Sequence, residues 1–215
     1  MNNRFSFHLL GSSSACADVR AQIDKIAQVD ATVLIEGETG TGKEMAARAI
    51  HYLGTRSDRP FVPVKCGARA EALVESELFG HERGAFTDAK AASLGLVNEA
   101  GGGTLFLDEV DALSLKAQAA LLRFLQDGTY RRVGGSTTRQ SDVRIVVASN
   151  ANLQALVDAR QFRRDLLYRV NVLTLRMPAL RERADDALEL ARVFLGRLVN
   201  QYSRPQARLS AASLL

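Results

Sequence analysis

The stretch Gly37-Glu38-Thr39-Gly40-Thr41-Gly42-Lys43-Glu44 decides the fold of this chain. Before it, the β-branched run Thr32-Val33-Leu34-Ile35 is typical of a buried parallel strand. After it, apolar residues recur at helical spacing. Glycines between a strand and a helix let backbone N–H groups converge on an anion, which the helix dipole also favours. Because Lys43 would then reach the terminal phosphates, the stretch predicts a cradle for a nucleoside triphosphate.

One position departs from the usual phosphate-loop pattern. The Ser or Thr that normally follows the lysine, and whose hydroxyl coordinates magnesium, is replaced by Glu44. A chance match of glycines and a lysine is therefore the alternative interpretation, although the strand and helix on either side of the loop argue against it.

A second signal is a strand that ends in two acids. Gly103-Thr104-Leu105-Phe106-Leu107 is followed by Asp108-Glu109. Buried strands seldom end in paired carboxylates unless these pair with a cation or hold a metal. Asp108 suits a Mg²⁺ ligand that acts through water, and Glu109 suits a base that orients the attacking water. Together with the loop, this pair predicts hydrolysis of ATP or GTP.

Size and composition are those of an ordinary globular protein. The 215 residues suffice for one α/β domain and the start of a second unit, and 47% are hydrophobic and 24% charged. We identify no membrane-spanning stretch and no signal sequence. Cys16 and Cys66 have no metal-ligand spacing and are expected to be reduced thiols of a cytoplasmic protein. The net charge of +4 permits contact with nucleic acid without requiring it.

Strands and helices alternate along the chain, which predicts a parallel sheet with the nucleotide at the carboxyl ends of its strands. Pro63 places the second strand near an edge of that sheet. Three further strands are predicted in addition to the phosphate-loop and acid-tipped ones: Phe61–Val64, Val143–Ala148 and Val172–Leu175. Residues 11–30 are predicted to form a loop and a helix capped by Ser14, and further helices are predicted after Lys43, over 71–79 and 114–126, and from Asp185 onward.

Two stretches interrupt this alternation and are predicted to be surface insertions. The first runs from Gly80 to Gly95, with Gly84-Ala85-Phe86-Thr87-Asp88-Ala89 at its centre. The second runs from Gly128 to Asp142, contains Gly134-Gly135 and is expected to form a hairpin.

The first insertion makes a family recognisable. From about Leu10 to the end, the chain resembles the AAA+ central domain of sigma-54-dependent transcriptional activators, the bacterial enhancer-binding proteins. The matching strings are Glu77 to Ala89, the phosphate loop, Gly102 to Glu109, Phe162 to Arg169 and Pro178 to Arg183. The family also carries glutamate at the position of Glu44.

The resemblance implies an AAA+ phosphate-loop ATPase with a five-stranded parallel sheet flanked by helices. The core would cover residues 1–180, and residues 181–215 would begin a C-terminal helical lid. It further implies a ring, usually a hexamer, in which ATP and Mg²⁺ lie at subunit interfaces. Hydrolysis would move the loop Gly84 to Ala89, which grips sigma-54 RNA polymerase and remodels the closed promoter complex.

Roles for single residues follow from the same resemblance. Residues Gly37 to Glu44 would bind the nucleotide, Asp108 the metal, and Glu109 the attacking water. Arg163 and Arg169 match arginines presented to a neighbour's triphosphate, and Asn150 matches a sensor of the γ-phosphate. Phe86 and Thr87 would grip the partner, with the region 131–138 as the companion pore loop.

Without the resemblance, simpler explanations hold for several of these residues. Phe86 would be an anchor that packs within its own loop. Arg163 and Arg169 would be solvated charges or partners of carboxylates, and Asn150 a turn residue.

Two positions depart from the family. Asp88 replaces a glycine, which removes a flexible point and adds negative charge, so weakened or altered engagement of the partner is expected. Lys65 stands where the family usually has an asparagine that restrains the catalytic glutamate. An ammonium group near Glu109 would lower its basicity, whereas a Lys65 that points to solvent would have no effect.

The chain is expected to be a motor core with an incomplete lid, because the segment with the lid's sensor arginine and a DNA-binding domain would follow Leu215. Binding to DNA would therefore need a domain absent from this chain. The leading hypothesis is an ATP-hydrolysing activator of sigma-54 RNA polymerase. The alternative is a catalytically weak AAA+ subunit that acts as a binding or regulatory partner in a mixed ring. A different AAA+ remodeller with another client is a third possibility, against which Phe86-Thr87 argues.

Overall fold

A computed structural model describes residues 9–68, 71–184, 186–203 and 208. Five parallel strands form the central sheet, in the order β2-β3-β6-β1-β7, and β4 and β5 form a separate antiparallel hairpin. The strands are β1 Val33–Glu36, β2 Phe61–Lys65, β3 Thr104–Asp108, β4 Thr129–Tyr130, β5 Arg139–Gln140, β6 Arg144–Ser149 and β7 Leu173–Arg176.

The sequence predictions for the sheet are confirmed. Each of the five predicted strands lies within one residue of its observed bounds. The strand with Pro63 is an edge strand, where its missing N–H interrupts no central ladder. The predicted hairpin is formed by pairing of Thr129 with Gln140 and of Tyr130 with Arg139.

Helices cover both faces of the sheet. They are α1 Ser14–Ala27, α2 Lys43–Tyr52, α3 Glu71–Phe79, α4 Leu96–Glu99, α5 Leu115–Asp127, α6 Leu153–Asp158, α7 Arg164–Val170 and α8 Asp186–Tyr202, with short 3-10 helices at Cys66–Ala68, Val110–Ala112 and Leu180–Glu182. The predicted α2, α3, α5 and α8 are confirmed. Ser13 rather than Ser14 caps α1, because its hydroxyl accepts a hydrogen bond from Cys16 N at 3.2 Å.

The core consists of two apolar clusters, one on each side of the sheet. Alternate residues of a strand point to opposite faces, so Leu105 and Leu107 join the cluster with α3, α5 and α7. Phe106, which lies between them, joins the cluster with α1 and α2. This packing fixes the carboxyl ends of β1, β3 and β6 side by side, which is where the phosphate loop and the two acids lie. In the described part of the chain, no helix is long and apolar enough to span a bilayer.

Candidate nucleotide site

The phosphate loop connects β1 to α2 and folds around the side chain of Lys43. This side chain is buried, and its Nζ donates hydrogen bonds to the carbonyl oxygens of Gly37 at 2.8 Å and Glu38 at 3.1 Å. The Thr41 hydroxyl also donates to Glu38 O at 2.8 Å. The loop is therefore already curled around a cation, in the form that an anionic ligand needs.

Two glycines give the loop its shape. Gly42 precedes α2 with a φ of 96°, and Gly40 has a φ of 83°, both in the left-handed region that favours glycine. A Cβ atom at Gly40 would meet no atom within 4 Å, so this side of the loop is open. The first N–H groups of α2 have no partners within the helix and can bind a phosphate that enters there.

The side chain of Glu44 lies away from the loop. Its carboxylate accepts hydrogen bonds from Arg48 Nε at 2.9 Å and Nη2 at 2.7 Å, one turn further along α2. The backbone of Glu44 therefore continues the phosphate loop into α2, while its carboxylate binds Arg48.

Asp108 is the last residue of β3 and lies at the carboxyl end of this strand, beside the phosphate loop. Burial raises the pKa of its carboxyl, the nearby charge of Glu109 raises it further, and Lys43 opposes both effects. A bound metal cation would stabilise the ionised form of this carboxylate, because the positive charge of the ion offsets the cost of burying a negative charge.

Glu109 is held in an unusual backbone conformation. Its φ of 57° and ψ of 49° are left-handed, which is uncommon for a residue other than glycine and costs about 1–3 kcal/mol. The surroundings of its carboxylate are close-fitting, since a Cβ atom at Gly67 would collide with Glu109 Oε2. Lys65 Nζ lies 3.7 Å from Glu109 Oε1, so the structure favours the charged contact over a Lys65 that points away.

The third strand end that contributes to the site is that of β6. Asn150 Nδ2 donates a hydrogen bond to Thr39 Oγ1 at 3.1 Å, so the predicted sensor touches the phosphate loop. The preceding Ser149 donates to Asp111 Oδ1 at 2.6 Å and thereby ties the end of β6 to the segment that follows Glu109. Asn150 thus contacts the phosphate loop, and its role as a sensor stays a prediction.

The two arginines lie on a different part of the surface. Arg163 precedes α7 and its guanidinium binds Asp165 with two hydrogen bonds, at 3.0 and 2.7 Å, and Arg169 is exposed on the same helix. In the described ranges, these are the hydrogen bonds of the Arg163 side chain, and they match the simpler expectation of a carboxylate partner. The structure does not bring either arginine to the phosphate loop of its own chain.

The central residues of the first insertion, Gly84 to Ala89, form a closed turn. Gly84 N donates to Ala89 O and Ala89 N to Phe86 O, both at 2.9 Å. Phe86 is half-buried against the ring of His81, while Thr87 and Asp88 are exposed. The expected packing of Phe86 within its own loop is thus present.

Sequence reasoning missed a set of contacts between the phosphate loop and the segment that precedes α8. Arg183 Nη2 donates to Thr41 O at 2.6 Å, and Arg181 binds the Glu38 carboxylate through two hydrogen bonds, at 2.8 and 2.5 Å. The string Pro178 to Arg183 is distinctive in the sequence, but the partners of its arginines are distant along the chain.

A cavity of about 600 Å³ opens beside the loop. Its walls come from the chain segment before α1, from the beginning of α2 and from α8. The apolar side chains among its lining are Leu9, Leu10, Met45, Leu180, Leu190 and Phe194. A site of this size and polarity suits a flat organic ring next to the phosphate cradle.

Comparisons with known proteins agree with this geometry. The family model described as "Sigma-54 interaction domain" matches residues 9–176. The alginate biosynthesis regulatory protein AlgB of Pseudomonas syringae is 54% identical over 84% of this chain and 40% of its own length. The Nif-specific regulatory protein of Azotobacter vinelandii is 49% identical over 94% of this chain and 38% of its own.

Among solved structures, NtrX from Brucella abortus in complex with ATP superposes with a TM-score of 0.87 at 33% identity. The match covers 95% of this chain and 46% of NtrX. The predicted AAA+ phosphate-loop fold is confirmed. The chain spans about two fifths of the length of the curated relatives it matches.

Proposed function

Because the chain belongs to the family of sigma-54 interaction domains, we propose that it is an ATP-hydrolysing core that remodels closed complexes of sigma-54 RNA polymerase. The observation that carries the proposal is the convergence of three strand ends on one site. Lys43 follows β1, Asp108 and Glu109 follow β3, and Asn150 follows β6, and these strands are neighbours in the sheet.

ATP is the proposed nucleotide and Mg²⁺ the proposed metal. The open side of Gly40, the buried ammonium of Lys43 and the adjoining cavity support a phosphate chain with an attached ring. The related NtrX, whose structure was solved in complex with ATP, also supports this nucleotide. No cluster of three or more His, Cys, Asp or Glu side chains suited to a metal occurs among the described residues. Mg²⁺ would be held by phosphate oxygens and, through water, by Asp108. It would neutralise the negative charge that develops on the phosphates during hydrolysis.

For hydrolysis, Glu109 would orient the attacking water and Asn150 would sense the γ-phosphate from the other side of the loop. Arg163 and Arg169 would act on the nucleotide of an adjacent subunit, since both lie away from their own loop. Guanidinium groups in that role are worth roughly 10³–10⁵ in rate. The left-handed backbone of Glu109 supports a catalytic rather than a merely structural role for it.

The proposed partner surface is the turn Gly84 to Ala89, in which Thr87 and Asp88 are exposed. We also propose that the chains assemble into a ring, and that the ATPase core gives way to the beginning of a lid near residue 180. Residues 204–207 and 209–215, where the end of that lid is expected, lie outside the described residues. The cytoplasmic location remains a prediction.

The test is steady-state ATP hydrolysis as a function of protein concentration, with Lys43→Ala as the inactive comparison. We expect activity per chain to rise cooperatively with concentration, because each site needs a neighbour. Lys43→Ala should weaken ATP binding about 10- to 100-fold, the loss expected for charge-assisted hydrogen bonds. ATP binding without hydrolysis at any concentration would instead support the weak subunit of a mixed ring, for which the Lys65–Glu109 contact is the specific indication.

A further inference from the structure

The ring of Phe86 rests on the ring of His81. The two ring centroids are 4.9 Å apart and the rings are inclined at 62°, in an edge-to-face arrangement. Such pairs are attractive beyond the area that they bury. The contact therefore constrains Phe86, which lies next to the exposed Thr87 and Asp88.

His81 itself is fixed from several directions. Its Nδ1 lies 2.8 Å from the hydroxyl of Ser76, which is buried on α3. Its backbone exchanges two hydrogen bonds with Ser93, at 3.2 and 2.9 Å. On either side of it, Gly80 O accepts from Val133 N at 2.9 Å and Glu82 N donates to Val133 O at 3.0 Å. The imidazole is thus anchored to α3, to the returning limb of its own insertion and to the second insertion.

The turn that carries Phe86 has few such anchors. Its backbone hydrogen bonds from Gly84 and Ala89 close the turn on itself, and Ala85 N donates to Glu82 O at 3.1 Å. At its base, the turn is held by the buried Ala89 and by the packing of Ala85 against Gly134. The ring pair of His81 and Phe86 is the aromatic contact that orients the Phe86 side chain.

We propose that His81 is a positioning residue, which presents Phe86 to the sigma-54 factor in a preset orientation. The proposal rests on the proposed function, because it assumes that Phe86 is part of the partner surface. A side chain that is ordered before binding loses less conformational entropy when the complex forms. The hydroxyl of Ser76 contacts His81 and lies on α3, which packs in the ATPase core. The orientation of Phe86 would therefore also depend on the position of α3.

The first experiment measures the ring contact alone. The chain contains no tryptophan, so Phe86→Trp introduces a single tryptophan, whose emission can be excited apart from that of the four tyrosines, at the tip of the turn. We expect acrylamide to quench this tryptophan more strongly in the His81→Ala variant. In the His81→Phe variant, which keeps an aromatic ring, quenching should be as weak as with His81 present. Phe194→Trp, on α8, is the matched control and should not respond to either change. Equal quenching of the Phe86→Trp fluorophore with and without His81→Ala would overturn the contact.

The second experiment measures capture of purified sigma-54 factor in the presence of ADP and aluminium fluoride, with Phe86 intact. We expect His81→Ala to weaken capture about three- to tenfold, the worth of an aromatic pair, and His81→Phe to restore most of it. Unchanged or stronger capture by His81→Ala would overturn the positioning role. Failure of the natural chain to capture the factor would instead refute the proposed function, and the quenching comparison would still decide whether His81 holds the ring.

Discussion

At the scale of single residues, the position of Glu109 is set by its own backbone and by two residues of a neighbouring segment. Its backbone is left-handed, Gly67 leaves space for its carboxylate, and Lys65 approaches it at 3.7 Å. Gly67 and Lys65 both belong to β2 or its continuation, which pairs with β3 in register. The edge strand is therefore the element that controls the freedom of the proposed base.

Gly67→Ala is predicted to reduce ATP turnover at least about tenfold with little change in unfolding temperature. The added Cβ would collide with the flexible end of Glu109, which can move aside, so activity rather than stability should suffer. The measurements are the hydrolysis rate and thermal unfolding. Gly196→Ala, on α8 with open space around it, is the control glycine, and equal turnover in both variants would contradict the prediction.

Lys65→Met is predicted to raise ATP turnover roughly two- to fivefold, because it removes the ammonium that competes for Glu109. The size follows from the small energy of exposed ion pairs, and Lys65 is 60% exposed. The difference should shrink in high salt. Lys116→Met, which breaks the Lys116–Glu75 pair elsewhere, is the control. The family residue is tested in the same way by Lys65→Asn, and equal rates in all four proteins would refute a role for the lysine.

The residue types of this site could be predicted from sequence, but several of their contacts could not. Lys43, Asp108 and Glu109 stand in patterns that predict nucleotide chemistry. The left-handed backbone of Glu109 and the close approach of Gly67 depend on the tertiary packing of β2 beside β3. The contact of Lys65 with Glu109 was one of two open alternatives, and only the structure shows the two groups 3.7 Å apart, with Lys65 60% exposed.

At the scale of elements, α8 is attached to the body of the protein by Asp186, which is fully buried at its first turn. Ser13 donates to this carboxylate through its N–H at 2.9 Å and its hydroxyl at 2.7 Å. Burial alone would raise the pKa of Asp186, but the hydrogen bonds from Ser13 and Cys16 outweigh it, so the pKa lies below its ordinary value. The cap of α1 and the start of α8 therefore form one unit.

A lowered pKa means that Asp186 stabilises the folded state at neutral pH, and that this stabilisation is lost as the pH falls below about 4. We predict that Asp186→Asn lowers the unfolding temperature at pH 7. Between pH 6 and pH 3, the unfolding temperature of Asp186→Asn should fall less than that of the natural chain. Thermal unfolding across this range is the measurement. Parallel curves for the natural chain and Asp186→Asn would contradict the assignment.

The first insertion carries a prediction of its own. Asp88 is exposed and is absent from the positions with left-handed backbone, so its charge rather than backbone strain distinguishes it from the family's glycine. Asp88→Gly is predicted to increase open-complex formation by sigma-54 RNA polymerase, and Asp88→Asn, which removes only the charge, should do most of the same. The idea is wrong if both variants form open complexes at the rate of the natural chain.

The strands were predictable because each is a short apolar run with glycine, proline or an acid close to at least one of its ends. The longer helices were predictable from their spacing of apolar residues. The short α4, α6 and α7 escaped prediction, since four to seven residues hold too few turns to show a helical period. Ser13 and Ser14 are adjacent and equally suited to cap α1, and only the observed hydrogen bond to Cys16 distinguishes them.

At the scale of the whole molecule, one chain supplies only part of the proposed catalytic site. The phosphate loop, the two acids and Asn150 converge, whereas Arg163 is held by Asp165 on the exposed end of α7. A neighbour in a ring could offer that arginine to the nucleotide of this chain. The family resemblance predicts this role for Arg163, whereas the contact with Asp165 is seen only in the structure.

The most direct measurement is ATP hydrolysis by a mixture of two inactive proteins. Glu109→Gln keeps the arginine but lacks the base, and Arg163→Ala keeps the base but lacks the arginine. In a mixed assembly, an intact site forms where an Arg163→Ala subunit adjoins a Glu109→Gln subunit. We predict little hydrolysis by either protein alone and clear recovery on mixing. A mixture as inactive as its components, or an Arg163→Ala protein as active as the natural chain, would contradict a site shared between subunits.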